Sequence, residues 1–392
     1  MRKEVSDKNL MIAKTMAGLE NVLEKELKKC GASDSQVLKR AVSFVGNKEV
    51  MYRANYCCRT AIAILKPIYH FKARNKEELY DKLYAIKWDK YITIDNTFAI
   101  DSIVSGDLFS HSLYLSQLCK DALVDYFRDT YNVRPSVDRT HPDIRFTLRI
   151  SDSDCSVFID SSGDSLYRRG YRLKHGEANL NEVLAAGMIM LSEWKVDCNF
   201  YDPMCGSGTL GIEAAMISQN IPAGFYRKKY GFMNWNDFDE NLWNKVKEEA
   251  DAKICESEIE IFSSDIMSYA VESAQKNAEN ARLHHDIKFD TKAFQHVKFL
   301  NEKGIIILNP PYGERIPLED VKKFYQSIGD AMKNNCKGYD VWIISSGKDS
   351  TKYIGLKPSK KYTLFNGSIE CTYAKFEIFE GKRKEFLSER GQ

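Results

Sequence analysis

The run Ile305-Ile306-Ile307-Leu308, closed by Asn309-Pro310-Pro311, constrains this 392-residue chain more than any other stretch. Four aliphatic residues in a row form a strand that is apolar on both faces. Such a strand belongs inside a parallel sheet with helices on either side. Two prolines after Asn309 forbid both a ladder and a helix at that point. The strand therefore ends at Asn309 and delivers its side chain to the carboxyl edge of the sheet, where α/β proteins bind ligands. An aromatic ring, Tyr312, follows directly.

This arrangement suits methylation of an exocyclic amine on a planar ring. The lone pair of such an amine is delocalised into the ring, which makes the nitrogen a poor nucleophile. The side-chain oxygen of Asn309 and the carbonyl of Pro310 can each accept one hydrogen bond from the NH2 group. That pulls the nitrogen towards tetrahedral geometry and localises the pair. Proline fixes its own φ, which constrains its carbonyl. Tyr312 can stack on a base held out of its helix. The bland reading of Asn309, Pro310 and Pro311 is a strand ending in a proline turn.

A second stretch, Phe200-Tyr-Asp-Pro-Met-Cys-Gly-Ser-Gly-Thr-Leu-Gly211, narrows the choice. It reads as a strand ending at Asp202, a turn carrying Met204, Cys205, Gly206, Ser207 and Gly208, and a helix from Thr209 to Gln219. Backbone N–H groups at such a helix start bind carboxylates or phosphates. The spacing matches neither the Walker loop nor the dinucleotide fingerprint.

Composition limits the partners. The formal net charge is +2, so a nucleic acid must be held by local patches rather than by a basic whole. No run approaches the ~20 apolar residues of a membrane span. The first residues lack the apolar core of a signal peptide. Ten cysteines are scattered without a C-x-x-C pair, which points to reduced thiols in a cytoplasm and to no metal site.

Along the chain, Leu10–Lys14 reads as a strand, Gly18–Lys29 as a helix, Gln36–Val45 as a strand, and Asn47–Tyr56 as a helix. Ala61–Pro67 reads as a strand stopped by its proline. This order suggests a small ferredoxin-like unit. Asn75–Ile86 and His111–Thr130 are helices, and Thr97–Val104 is a strand. Ile144–Ile150 and Ser156–Asp160 form a hairpin. Arg134, Arg139, His141, Arg145 and Arg149 sit on or before that hairpin, as a solvated face or as a groove for RNA phosphates.

Leu166-Tyr-Arg168-Arg169-Gly-Tyr171-Arg172 is dense in arginine and tyrosine. It reads as phosphate pairing and base stacking, or as a linker pinned by salt bridges. A helix follows over Ala178–Trp194, and its Asn181 and Glu182 are candidates for the polar end of a ligand. Further strands are read over Ile259–Ser264, Ile287–Thr291, Gly304–Asn309 and Val341–Ser345. A hairpin across Asn366-Gly367 closes the series. Asp265, at the end of the Ile259–Ser264 strand, reads as a ribose ligand or as a helix N-cap.

Phe71–Asp160 resembles a THUMP domain, a module of RNA-modifying enzymes. The whole chain is similar to the THUMP-containing RNA guanine-N2 methyltransferases, and most of all to the bacterial family acting on 23S rRNA. The residues that carry this are Asp202 to Thr209, Arg168 to Arg172, Gly231-Phe-Met-Asn-Trp235 and Asn309 to Arg315, in the order that family uses.

The resemblance implies an α/β protein with a ferredoxin-like subdomain (1–67), a THUMP domain (68–160), a linker and helix (161–194) and a class I methyltransferase domain (195–392). That last domain is expected to hold a Rossmann-like, mostly parallel, seven-stranded sheet. S-adenosylmethionine is implied as donor, held by Asp202, Met204, Cys205, Gly206, Ser207, Gly208, Thr209, Asp265, Ile266, Phe294 and Asn309. Catalysis falls to Asn309, Pro310, Pro311 and Tyr312. RNA contacts fall to Arg145, Arg149, Arg168, Arg169, Tyr171 and Arg172.

Two departures stand out. Ala293 occupies the place of an expected acid near the adenine. The second methyltransferase domain of some family members is not part of this sequence. Alternatives are a tRNA guanine-N2 methyltransferase, a DNA adenine-N6 or protein glutamine methyltransferase, and an inert RNA-binding assembly factor.

Overall fold

A computed structural model describes residues 9–173, 180–299, 303–311, 321–346 and 350–379. The first elements are β1 (Leu10–Lys14), α1 (Glu20–Lys29), β2 (Ser33–Leu38), β3 (Ala41–Val45), α2 (Lys48–Cys57), β4 (Ala63–Lys72) and α3 (Lys76–Tyr84). Then come β5 (Thr97–Ser105), α4 (Ser112–Tyr131), β6 (Ser136–Val137), β7 (Ile144–Ser151) and β8 (Asp154–Asp160). The remainder is α5 (Glu182–Leu191), β9 (Asn199–Asp202), α6 (Thr209–Ser218), α7 (Glu240–Asp251), β10 (Ile261–Asp265), α8 (Ser268–Asn280), β11 (Ile287–Thr291) and β12 (Gly304–Leu308). It closes with α9 (Val321–Asn335), β13 (Asp340–Ser346), β14 (Lys360–Asn366) and β15 (Ile369–Glu377).

The chain divides into two compact units. The first takes in residues up to Thr15, 23–168 and 227–249, and the second takes in 16–22, 169–226 and residues from Ala250 onward.

The first unit is built on an eight-stranded sheet in the order β2-β3-β1-β4-β8-β7-β5-β6. β4 pairs with β1 on one side and β8 on the other, so the ferredoxin-like and THUMP portions share one sheet. Two strand readings are corrected here. Gln36–Val45 is two strands joined by a tight turn, with Arg40 in the left-handed region at φ 57°. β4 does not stop at Pro67. The ladder shifts register between Pro67 and Tyr69, and that irregularity absorbs the missing N–H. Asn47 and Asn75 cap α2 and α3 by accepting from Val50 and Glu78 N–H groups. The apolar stripe of α4, from Leu115 through Cys119, Ala122 and Leu123 to Phe127, is buried as its spacing predicts.

Residues 227–249 complete this unit from a distant part of the sequence. Phe232 is fully buried, with its ring centroid 4.4 Å from that of Tyr52 and 5.1 Å from that of Trp243. Trp243 also meets Tyr56 edge-on at 5.5 Å. The Arg227 guanidinium donates to the carbonyls of Ser162, Asp164, Ser165 and Arg168, which fixes the 162–168 turn.

The second unit holds a seven-stranded sheet in the order β11-β10-β9-β12-β13-β15-β14. The five strands from β11 to β13 are parallel, and β15 runs antiparallel between β13 and β14. This is the expected mostly parallel, class I methyltransferase-like sheet. Every residue of β9 and β12 is buried. Strand order reverses between these two strands, so the crevice for a ligand opens at their carboxyl ends.

The aromatic cluster yields the first prediction. Phe232→Ala should destabilise the protein by about 3–5 kcal/mol, read as a lower urea midpoint for loss of the first unit. An unchanged midpoint would show that residues 227–249 are not structural to it.

Candidate active site

β9 ends at Asp202 and the chain turns tightly. Cys205 N–H donates to the Ser264 carbonyl at 2.9 Å, and Gly206 N–H donates to Asp265 Oδ2 at 3.0 Å. Gly206 (φ 52°) and Gly208 (φ 79°) both lie in the left-handed region, which glycine adopts at no steric cost. A side chain at Gly206 would meet nothing within 4 Å, so the turn faces open space. At Gly208 it would lie 2.8 Å from the Ala274 side chain, because α8 packs closely there. α6 begins directly after Gly208.

The turn opens on a cleft of about 800 Å³. Met204, Cys205, Gly206, Ser207, Thr209, Asp265, Ile266, Phe294, Asn309, Pro310 and Pro311 all line it, so most of the sequence-derived candidates converge. Asp202 lies beneath it, fully buried. Tyr312 falls outside the described residues. Sequence reading missed Leu180, Met267, Tyr269, Ala270, Ser273, Gln295, Phe324 and Asn366, which also line the cleft. Tyr269, Ala270 and Ser273 recur at helical spacing on α8, a signal that was present. Asn366 was legible only as part of a hairpin turn.

Asp265 stands two residues before Met267, which occupies the N-cap position of α8. Its Oδ1 accepts from Met267 N–H at 3.0 Å, ahead of α8, while the same carboxylate braces Gly206 and borders the cleft. Ala293 borders the cleft where an acid was expected, beside the buried Phe294 ring.

Two orphaned polar groups mark the site. Asn309 Oδ1 is buried and has no hydrogen-bond partner among the described residues. Neither oxygen of Asp202 makes a hydrogen bond of standard geometry. Burial, and then the Asp265 carboxylate, push the Asp202 acid from 3.8 up to about 8, against the pull of the Gly211 and Met204 N–H groups. Buried polar groups without partners are costly, and they cluster where a ligand completes them.

The arginine-tyrosine strip is corrected by the structure. Arg169 and Tyr171 are buried, with Arg169 Nε 3.3 Å and Tyr171 Oη 3.1 Å from Glu213 Oε1 on α6. Arg172 is paired with Glu182 at 2.8 Å, and its side chain is 4% exposed. These three residues serve the interior of the second unit and are not RNA contacts. Glu213 and Glu182 supply buried counter-charges that a local reading of the strip does not contain. Asn181 likewise caps α5 through Val183 and Leu184 N–H groups, and neither it nor Glu182 borders the cleft. Arg168 and Arg149 remain exposed, while Arg145 is half-buried and held by Asp101 at 2.8 Å.

The strand order, the glycine turn at the switch point and the asparagine-proline edge over the same cleft define a class I, S-adenosylmethionine-dependent methyltransferase. The cleft has the size of a nucleoside-cofactor pocket. Open space at Gly206 and the Asp265 carboxylate at the cleft edge fit a donor that carries hydroxyl groups.

Comparison with known proteins agrees. Residues 169–375 match an RMKL-like methyltransferase domain, 73–160 a THUMP domain and 10–65 an RlmL ferredoxin-like domain. The chain belongs to the RMKL-like family of THUMP-containing RNA methyltransferases. A Synechocystis protein named "Putative RNA methyltransferase slr0064" is 34% identical over 92% of this chain and 95% of its own length. The "Ribosomal RNA large subunit methyltransferase K/L" of Desulfotalea psychrophila is 34% identical over 99% of this chain and 56% of its own. This chain therefore spans about half the length of the K/L relatives. A crystal structure titled "SMU.472, a putative methyltransferase complexed with SAH" is 32% identical, with TM-score 0.85 over 95% of this chain and 99% of that one.

Asp202 generates a pH prediction. Its acid ionises near 3.8 in the unfolded chain and near 8 in the fold. A raised acid stabilises the folded state fully below the lower value, and that contribution is lost as pH rises to the higher one. Ligand-free Asp202→Asn should therefore lose less stability than wild type between about pH 5 and about pH 8. Urea midpoints of both proteins at the two pH values are the measurement. Equal losses would show that Asp202 is already ionised in the fold.

Proposed function

We propose that this enzyme methylates the exocyclic N2 amine of a guanine in large-subunit ribosomal RNA, in the cytoplasm. The observation that carries the reading is Asn309 Oδ1, a buried acceptor at the edge of the donor cleft with no partner among the described residues. An amine N–H is a group that would satisfy it. The Pro310 carbonyl is the second acceptor, and Tyr312 is assigned to stacking on the base. The family resemblance of Asn309-Pro-Pro-Tyr to guanine-N2 enzymes and the printed names of the K/L relatives support the guanine and the ribosomal RNA.

When bound, S-adenosylmethionine supplies an electrophilic methyl group on a sulfonium, so no strong base is required. The chain's own residues do the positioning. The turn from Met204 to Thr209 receives the amino-acid end of the donor. Asp265 would accept from the ribose hydroxyls, and Ile266 and Phe294 would hold the adenine. Asn309 and Pro310 orient the acceptor amine and localise its lone pair. Arg145, Arg149 and Arg168 are assigned to RNA phosphates.

Asn309→Ala should lower kcat by about 100- to 1,000-fold, as loss of one preorganised transition-state group does. Donor affinity should stay within a few-fold, because the interaction is made mainly as the nitrogen pyramidalises. Single-turnover methyl transfer at saturating donor and RNA is the measurement. A near wild-type rate there would remove the amine-activation mechanism.

RNA binding is tested separately. Arg149→Ala should raise the RNA KM and reduce the salt slope of binding by about one unit, as loss of one phosphate contact does. An unchanged slope would take Arg149 out of the interface.

A further inference from the structure

We propose that Arg172 is a positioning residue for the methyl donor, an inference that rests on the donor site described above. Its guanidinium locks the glycine turn in the form that receives the donor's carboxylate. Nε donates to Glu182 Oε1 at 2.8 Å and Nη1 to Ser207 Oγ at 3.0 Å. Nη2 donates to Thr209 Oγ1 at 2.8 Å and to the Leu180 carbonyl at 3.2 Å. Ser207 and Thr209 flank Gly208, and both line the cleft.

One planar cation thus ties both sides of Gly208 to the residues leading into α5. Two other elements hold the same turn. Asn277 of α8 donates to the Ser207 carbonyl at 3.0 Å, and Asp265 of β10 accepts from Gly206 N–H. Lysine could keep the charge but not this fork of donors.

The polarity of these bonds selects the ligand end. Ser207 Oγ and Thr209 Oγ1 both accept from Arg172 and lie 3.5 Å from each other, so their hydroxyl protons are directed to one another and towards whatever enters the turn. The start of α6 adds N–H groups and the positive end of its dipole. A carboxylate matches that surface and an ammonium does not. Arg172 acts through Ser207 and Thr209, so its effect is specific to ligands that carry the carboxylate.

The test compares two ligands on the full-length protein by titration calorimetry. S-adenosylhomocysteine carries the amino-acid end, and 5′-methylthioadenosine keeps the adenosine and sulfur but lacks it. Arg172→Gln and the milder Arg172→Lys should weaken S-adenosylhomocysteine by about 10- to 100-fold, as loss of charged hydrogen bonds does. Affinity for 5′-methylthioadenosine should stay within about threefold, and the donor KM should rise while kcat at saturating donor stays within about threefold. RNA KM and its salt dependence should not change.

Equal losses for both ligands would overturn the proposal, because they would mean general collapse of the turn. An unchanged S-adenosylhomocysteine affinity with a raised RNA KM would also overturn it and return Arg172 to RNA contact. Should Arg172→Gln fail to fold, the lysine variant carries the same comparison. Wild-type protein that binds neither ligand would overturn the donor site itself, and this role with it.

Discussion

The parallel pairing of β9 with β12 is the constraint on which the site depends. Phe200 faces Ile305 and Tyr201 faces Ile306, with both strands buried along their whole length. Full burial of each large aliphatic or aromatic side chain contributes roughly 1.5–3 kcal/mol. The pairing is therefore held by the core and not by the site. It places Asp202 at the end of one strand and Asn309 just beyond the other, across the switch point. A slip of one residue would move Asn309 by about 3.3 Å along the strand. Misplacement of a reacting group by about 1 Å already costs on the order of 100-fold in rate. The aliphatic run of β12 thus fixes through register where Asn309 meets the cleft, although none of its own side chains is chemically reactive.

What could be read from the sequence followed from period and punctuation. β12 and the turn after β9 were visible because aliphatic runs, glycines and prolines act locally. The stripe on α4 was visible for the same reason. Pro67 misled because a proline stops a strand only when the ladder cannot shift, and β4 shifts there. The arginine strip misled for a different reason. Arginine on a nucleic-acid surface and arginine buried against glutamate have the same local sequence. The partners that decide, Glu182 and Glu213, lie in α5 and α6. Only the tertiary structure brings them to Arg172 and Arg169. Asn366 was hidden likewise, because sequence shows a hairpin turn but not the cleft beside it.

The buried charges also divide the second unit's work. Asp265 and Arg172 both brace the glycine turn, yet each is paired within the fold before any ligand arrives. Asp202 and Asn309 are not so satisfied. Groups that keep partners hold geometry fixed, and groups without them carry a standing desolvation cost that a suitable ligand can relieve. Residue type alone does not assign a role: of two aspartates at neighbouring strand ends, Asp265 borders the cleft and Asp202 lies buried beneath it.

The division of the chain bears on how the two halves can be studied. The backbone passes between the units after Thr15, Val22, Arg168, Tyr226 and Glu249. No single cut separates them. Removal of residues 1–160 would take Tyr52 and Tyr56 away from Phe232 and Trp243, which would then expose large aromatic surfaces. Poor activity in such a fragment would report aggregation as readily as lost RNA affinity. The aromatic segment Gly231 to Trp235 lies in sequence between β9 and β10, yet structurally it completes the first unit. The stretch between β9 and β10 therefore supplies part of the core of the first unit. Folding of the first unit requires that the chain be made at least as far as Glu249. Point substitutions on exposed arginines, which leave both cores intact, are the sound way to separate RNA binding from chemistry.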